Sequence, residues 1–197
     1  MMRILHYTLG FSPYRSGGLT KYTHDLMVAQ KELGHEVSAL YPGGVSCFHR
    51  KCYVKNEKAL YGINVFEMVN PLPVPLLYGV KEVDDLMDER NLNRISFDRM
   101  LDRLKPQVLH VHSLMGLPKL YLQMAHDRGI KILYTSHDYY GLCLKVNFID
   151  NDGAFCQCVC SEKCRLCNQN AKSTLFLRIR NAKWIVPLKS FVRRWKK

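Results

Sequence analysis

The sequence predicts an α/β protein built on a doubly wound, mostly parallel sheet, and this prediction rests on its first 41 residues. Residues 3–8 are a short apolar run whose composition favours a strand, and residues 19–33 repeat apolar side chains at helical spacing. Gly34 stands where a left-handed residue commonly ends a helix, and residues 36–41 return as an apolar strand. A strand, a helix and a strand in so short a segment indicate a parallel βαβ unit.

Apolar periodicity also predicts the buried helix faces and the later elements. The face of the first helix that we expect on the sheet comprises Leu19, Tyr22, Leu26, Ala29 and Leu33. A second helix ends before Pro106, with an apolar face of Ile95, Phe97, Met100, Leu101 and Leu104. Further strands are predicted at 64–69, 108–112 and 130–135, and a further helix at 118–128.

The loop before the first helix ends in Gly17 and Gly18. Unpaired N–H groups and the positive end of the helix dipole favour an anionic or hydroxyl-rich ligand there, and glycine lets it approach the backbone. An ordinary turn between a strand and a helix fits the spacing equally well. Because the loop is not G-x-G-x-x-G and residues 36–37 lack the expected acidic strand end, a nicotinamide dehydrogenase is disfavoured.

Size and composition favour one folded domain in the cytoplasm. The chain has 197 residues, of which 47% are hydrophobic, enough for a sizeable core. Met-Met-Arg leads directly into a strand, so we expect no signal peptide. No run approaches the roughly 18 apolar residues that a membrane span needs.

The positive charge is concentrated at the end of the chain. The net charge is +12, and residues 163–197 hold 11 of the 29 Lys+Arg and none of the 17 Asp+Glu. Such a segment can attract an anionic membrane surface or a phosphorylated ligand, although a solvated face is an equally good interpretation. Nucleic acid is not expected because no nucleic-acid-binding motif accompanies the charge.

Histidines stand at the ends of two predicted strands. His112 and Ser113 close the strand at 108–112, and Ser136-His137-Asp138 follows the strand at 130–135. Ligands of open α/β sheets bind at the carboxyl ends of the strands, so these are candidate binding residues. A structural role is the alternative for His112 and the favoured one for His110. Elsewhere, Cys47, His49 and Cys52 lack a fourth ligand and match no standard metal site.

Three segments together resemble the amino-terminal domain of family 4 glycosyltransferases, which have the GT-B fold. They read MRILHYTLGFSPYRSGGLTKYTHDLMVAQKELGHEVSALYP, LKPQVLHVHSLMGLP and IKILYTSHDYYGLC. The resemblance implies a Rossmann-like domain, the amino-terminal half of a GT-B fold. It also implies transfer of a sugar from a nucleotide-sugar to an acceptor with retention of configuration, the amino-terminal domain mainly holding the acceptor.

The resemblance assigns roles to particular residues. Gly17 and Gly18 match the glycine loop that approaches the donor diphosphate and the acceptor. His137, with Asp138 beside it, matches the histidine at the reaction centre. His112, followed by Ser113, matches the strand end that lines the acceptor side. No protein nucleophile is implied, so catalysis would depend on positioning and on stabilising an oxocarbenium-like state.

A cysteine-rich insertion is predicted at about 143–170. Cysteines stand at 143, 156, 158, 160, 164 and 167, a density that favours metal over disulfides in a cytosolic protein. Cys164 and Cys167 form a C-x-x-C pair, whose tight turn lets two thiolates share one ion. Because some members of the family resemble this chain in carrying a cysteine-bearing insertion here, the preferred structural zinc ligands are Cys143, Cys156, Cys164 and Cys167. Free thiols and a redox or iron–sulfur role remain alternatives.

The end of the chain predicts a helix at 171–181 with Leu175, Phe176 and Ile179 facing inward. A strand at 183–188 and a helix at 191–197, capped by Ser190, follow. The family's second domain, with its nucleotide site and paired glutamates, has no counterpart in residues 1–197. We therefore expect a single domain that is incompetent alone.

Two other functions compete with this one. The chain could be a non-catalytic, zinc-stabilised module that binds a carbohydrate, a membrane surface or a protein partner. It could also be a basic protein of the membrane surface, attached through residues 163–197. On the transferase hypothesis the partners are a nucleotide-sugar and a glycan or lipid-linked acceptor, often a precursor of a cell-surface polysaccharide. Location would then be cytoplasmic, with peripheral contact to the inner face of the membrane.

Overall fold

The computed structural model describes residues 1–46, 48–157 and 162–181, and a six-stranded sheet forms its centre. The strands are β1 Arg3–Tyr7, β2 Glu36–Pro42, β3 Tyr53–Asn56, β4 Asn64–Val69, β5 Val108–Val111 and β6 Lys131–Tyr134. The α-helices are α1 Gly18–Glu32, α2 Arg94–Leu104, α3 Lys119–Asp127, α4 Glu162–Cys167 and α5 Thr174–Arg180. Short 3₁₀ turns span Leu76–Tyr78 and Val83–Leu86.

The sheet order is β3-β4-β2-β1-β5-β6, and every neighbouring pair is parallel except β3 with β4. The predicted Rossmann-like, mostly parallel α/β fold is therefore confirmed. The chain builds outward from β1 through β2 and β4, then returns to place β5 on the other side of β1. Loops leaving β1 and β5 diverge at this reversal and open a crevice, the usual ligand position in such sheets.

The buried face of α1 differs from the predicted one. Leu33 is 77% exposed and Tyr22 is 44% exposed, whereas Thr20, Thr23 and Met27 are buried. The cause lies in the strand beneath, because β1 and its end present polar side chains to the helix. Thr23 Oγ1 lies 3.0 Å from the hydroxyl of Thr8, and buried polar groups require such partners.

The antiparallel strand β3 was missed by the sequence prediction, which treated residues 45–56 as mixed and polar. Tyr53 pairs with Val69 and Asn56 pairs with Phe66 on β4. Cys52, just before this strand, is a core residue, and burial raises the pKa of its thiol to about 12. The thiol is therefore neutral near pH 7 and packs in the core, whereas His49, which was weighed with it as a metal ligand, is exposed. Cys47 itself lies outside the described residues.

The main core lies on the opposite sheet face from α1, under α2 and α3. The rings of Phe97 and Tyr121 stack there with centroids 4.1 Å apart and planes 5° apart. Phe97, Met100 and Leu101 are buried as predicted, but Ile95, in the first turn of α2, is 63% exposed.

The last described helix, α5, buries a different side from the predicted one. Leu175, Phe176 and Ile179 are exposed, while Thr174, Leu177 and Asn181 are buried. The buried positions follow one helical line, and the Thr174 N–H donates to Glu82 Oε2 at 2.7 Å. This bond joins the amino end of the short helix to Glu82.

Residues 182–197, with the predicted strand at 183–188, Ser190 and the final helix, lie outside the described part of the chain. At the edge of the sheet, all four residues of β6 are exposed. Among the helices described, none has the length and apolar character to cross a bilayer.

Candidate functional site

The candidate site lies where the carboxyl ends of β1, β5 and β6 meet. The loop after β1 reaches Gly17, whose φ of 128° lies in the region that side chains disfavour, so glycine is required there. Gly17 is the N-cap of α1, and no side chain caps the helix or adds an acidic group to its first turn. The amino end of α1 therefore remains available to an external hydrogen-bond acceptor.

An open cleft of about 590 Å³ lies beside this helix end. It is lined by Leu9, Arg15, Ser16, Gly17, Gly18, Leu19, Thr20, Leu76, Leu77, Met115, His137, Asp138 and Val146. Four of the six residues that the sequence proposes for substrate binding or catalysis thus share one cleft: Gly17, Gly18, His137 and Asp138. A second cleft of about 640 Å³ shares five residues with the first: Arg15, Ser16, Gly17, Gly18 and Thr20.

His137 is held between two neighbouring rings. Its Nε2 lies 3.4 Å from His112 Nδ1, and the Tyr22 ring meets it edge-on with centroids 4.8 Å apart. Asp138 is used locally, because its Oδ1 accepts the Tyr140 N–H at 2.9 Å. His137 therefore has the freer side chain for a ligand, and Asp138 shapes the turn that carries it.

The other two predicted substrate-binding residues do not reach the cleft directly. His112 has no exposed surface and Ser113 is 1% exposed. Ser113 Oγ accepts the Met115 N–H at 3.2 Å, a local turn interaction. His112 Nδ1 faces His137, which lines the cleft, so His112 lies behind the cleft.

Behind the cleft, His112 belongs to a buried histidine cluster that the sequence did not predict as a unit. His6 Nδ1 lies 3.0 Å from His112 Nε2, and His110 Nε2 lies 2.8 Å from Thr135 Oγ1. Burial is the main cause that lowers the pKa of His6 to about 4 and that of His112 to about 3, and it also lowers the pKa of His110. The three rings are therefore neutral near pH 7.

Geometry alone would let this cluster hold a metal ion. One ligand nitrogen from each of His6, His110 and His112 lies within 4.8 Å of the others, the only such set among the described residues. However, the His6–His112 contact is already a good hydrogen bond. The cluster is thus satisfied without an ion.

Arg15 is a second feature that sequence reasoning missed. It lines both clefts, yet it is only 9% exposed, and burial lowers the pKa of its guanidinium. Its Nη2 donates to Asn181 Oδ1 at 3.1 Å, and its guanidinium lies 4.8 Å from the centre of the Tyr14 ring. A buried cation beside a helix amino terminus creates a positive environment for an anion.

The four preferred cysteines surround a separate cavity of about 230 Å³. Cys164 and Cys167 come from α4, and Cys143 and Cys156 come from the preceding loop. All four are partly exposed, and Lys145 and Lys163 line the same cavity. Cys158 and Cys160 lie outside the described residues.

The doubly wound sheet and its strand-end cleft define a ligand-binding α/β domain. A family model described as Glycosyltransferase Family 4 matches residues 16–153, more than half of the chain. The chain therefore belongs to glycosyltransferase family 4, and the matched segment contains Gly17, Gly18 and both strand-end histidines, His112 and His137.

Among solved structures, the chain is similar to the catalytic domain of starch synthase IV from Arabidopsis thaliana, bound to ADP and acarbose. The identity is 16% and the TM-score is 0.43. The similarity covers 70% of this chain and 34% of the plant chain, so this protein spans about a third of that structure's length. No curated protein matches the chain.

Proposed function

We propose that the chain is the acceptor-side domain of a retaining glycosyltransferase. It would move a sugar from a nucleotide-sugar to a glycan or lipid-linked acceptor. The observation that carries the proposal is the shared cleft of Gly17, Gly18, His137 and Asp138 in a family 4 chain. The donor nucleotide would be bound mainly by a second α/β domain facing this cleft, so that the domain alone would not transfer sugar.

The glycine loop and Arg15 would bind the charged part of the substrates. Gly17 and Gly18 leave room for the donor diphosphate to approach the N–H groups of α1. The Arg15 guanidinium adds a positive charge at the same end of the helix. This pairing would stabilise negative charge on the diphosphate as the bond to the sugar breaks.

His137 would contact the transferred sugar at the reaction centre. A retaining reaction on one face of the sugar needs no protein nucleophile, so His137 would orient a sugar hydroxyl and stabilise the oxocarbenium-like state. Asp138 would act by holding the turn through Tyr140, consistent with its hydrogen bond. His112 and Ser113 would support the acceptor side from beneath, because both are buried.

The basic carboxyl-terminal segment would attach the enzyme to a membrane surface. Residues 163–197 carry no acidic residue, and a lipid-linked acceptor would lie at an anionic membrane surface. Peripheral contact with the inner face of the membrane would then bring the cleft to its acceptor.

The experiment that tests this function is transfer by the two-domain enzyme that the proposal implies, with this chain as one half. Radiolabelled UDP-, GDP- and ADP-sugars would be offered with lipid-linked and free glycans. We expect a product whose new glycosidic bond has the anomeric configuration of the donor, determined by NMR. An inverted product would contradict the retaining mechanism, and hydrolysis without transfer to any acceptor would contradict the assignment as a transferase.

We also propose that Cys143, Cys156, Cys164 and Cys167 bind one structural zinc ion. What supports the proposal is their position around one cavity. Cys164 and Cys167 stand three residues apart on α4 and so share a helix face. The two lysines of the cavity, Lys145 and Lys163, would partly offset the negative charge of four thiolates. Zinc would draw the thiolates together and stabilise the loop.

Removing the helical pair, Cys164→Ser with Cys167→Ser, is expected to abolish zinc binding and lower the melting temperature. Metal content by mass spectrometry would fall from about one zinc per chain to none, because two thiolates cannot close a tetrahedral site. The control is Cys158→Ser with Cys160→Ser, which should keep the zinc. Loss of zinc from the control pair but not from the helical pair, or a melting curve unchanged by chelation, would contradict the proposed ligands.

A further inference from the structure

A row of polar side chains runs between α1 and the sheet to the cleft. It begins with Gln30 on α1, whose Oε1 lies 2.7 Å from His6 Nε2 on β1. His6 Nδ1 lies 3.0 Å from His112 Nε2, at the end of β5. His112 Nδ1 lies 3.4 Å from Nε2 of His137, which lines the cleft. Both nitrogens of His6 and of His112 are therefore used.

The tautomer of each histidine in this row follows from the side-chain carbonyl oxygen of Gln30. A carbonyl oxygen only accepts hydrogen bonds, so His6 must donate its Nε2–H to Gln30. Neutral His6 then has a lone pair on Nδ1, which accepts the Nε2–H of His112. Neutral His112 in turn has its lone pair on Nδ1, which accepts the Nε2–H of His137. Each imidazole therefore determines the tautomer of the next, and all three carry their proton on Nε2.

The neutral state of the two inner rings supports this reading. His6 and His112 have no exposed surface, and their lowered pKa values keep them uncharged near pH 7. A doubly protonated ring would have no acceptor nitrogen and would break the row. His110 stays outside it, because its Nε2 is bonded to Thr135.

We propose that Gln30 is a positioning residue that sets the tautomer of His137 through His6 and His112. The row holds the His137 proton on Nε2 and leaves Nδ1 as a hydrogen-bond acceptor. On the proposed function, that acceptor would bind a hydroxyl group of the sugar in the cleft. The residue that specifies this chemistry lies on the helix, separated from His137 by the two rings of His6 and His112.

The burial pattern of α1 fits this role. Thr20, Thr23 and Met27 are its buried residues, and Gln30 continues their line one turn further as a half-buried side chain. The polar face that replaces the predicted apolar face of α1 thus places Gln30 against β1. Tyr22, on the same helix, meets the His137 ring edge-on.

The test is the tautomeric state of His137 in the 197-residue chain, measured by ¹⁵N NMR of the imidazole nitrogens. In the unaltered protein we expect the Nε2–H form alone. Gln30→Met removes the acceptor at the head of the row, so His137 should shift to a mixture of the two tautomers. Gln30→Glu keeps an acceptor oxygen and should restore the single Nε2–H form.

The matched control is Gln123→Met on α3, where the exposed amide donates to Asp127. It should leave the His137 signals unchanged. The proposal is overturned if His137 already occupies both tautomers, or if Gln30→Met leaves it in the Nε2–H form. Addition of Zn²⁺ that shifts the rings of His6, His110 and His112 together would equally overturn it. The readout needs no substrate, so it stays informative even if the transferase proposal fails.

Discussion

His137→Ala is expected to lower the rate of sugar transfer by about a hundredfold or more while the domain stays folded. The side chain lines the cleft beside Gly17 and Gly18, and the methyl group of alanine cannot orient a hydroxyl or stabilise developing positive charge. His137 contributes no buried core surface, so the loss should appear in the rate and not in stability. Initial rates with a nucleotide-sugar would measure the first effect, and urea unfolding of the 197-residue chain would measure the second.

His126→Ala is the matched control for this substitution. His126 lies near the end of α3 with an exposed side chain, and it should tolerate alanine with unchanged turnover. Near-normal transfer by His137→Ala would show that the reaction centre lies elsewhere. Equal losses in both variants would show that the assay reports general damage to the protein.

Acidification is expected to cost the domain about 2 kcal/mol of unfolding free energy between pH 6 and pH 5. Burial lowers the pKa of His6 to about 4 and of His112 to about 3, from an ordinary value of 6.5. Between these values the unfolded chain binds more protons than the folded one, so stability rises with pH. The stabilisation is present above about pH 6.5 and is lost as the pH falls toward 4.

Urea unfolding at pH 7, 6 and 5 would measure this dependence, and His6→Gln would isolate its cause. The variant removes one of the three histidines whose pKa burial lowers, so its stability should fall less steeply over the same range. His126→Gln, on the surface, should keep the full slope. A variant lacking His6 that loses stability as steeply as the unaltered protein would contradict neutral burial of the cluster.

The sequence was sufficient for the βαβ unit, the parallel sheet and the strand-end cleft. The cleft could be predicted because parallel strands place their carboxyl ends at one edge of the sheet, so that the residues that follow them meet there. Gly17 and His137 are 120 positions apart in the sequence, yet both line one cleft. Apolar spacing located the strands that bring them together.

Features that depend on a distant partner could not be predicted. The predicted buried face of α1 was wrong because its periodicity gave no information about the polar strand beneath it, where His6 and Thr8 have Gln30 and Thr23 as hydrogen-bond partners. Strand β3 was missed because its polar residues become strand only through pairing with β4.

Part of the candidate site was hidden for the same reason. In the sequence, Arg15 is simply a basic residue in a loop. In the structure it is buried and donates a hydrogen bond to Asn181, the last residue that the structure describes. His6 looked like one member of an apolar strand, and its role emerges only beside His112. A signal was nevertheless present, since histidines at 6, 110 and 112 all fall in predicted buried strands.

The central claim is that the strand-end cleft binds the substrates of sugar transfer, and chemical-shift mapping on the ¹⁵N-labelled chain tests it most directly. Nucleotide-sugars and oligosaccharide acceptors would each be titrated into the protein. The account predicts that the largest shifts occur at Gly17, Gly18 and His137, with smaller ones at buried His112. Shifts confined to the cysteine-lined cavity or to the far edge of the sheet would contradict it.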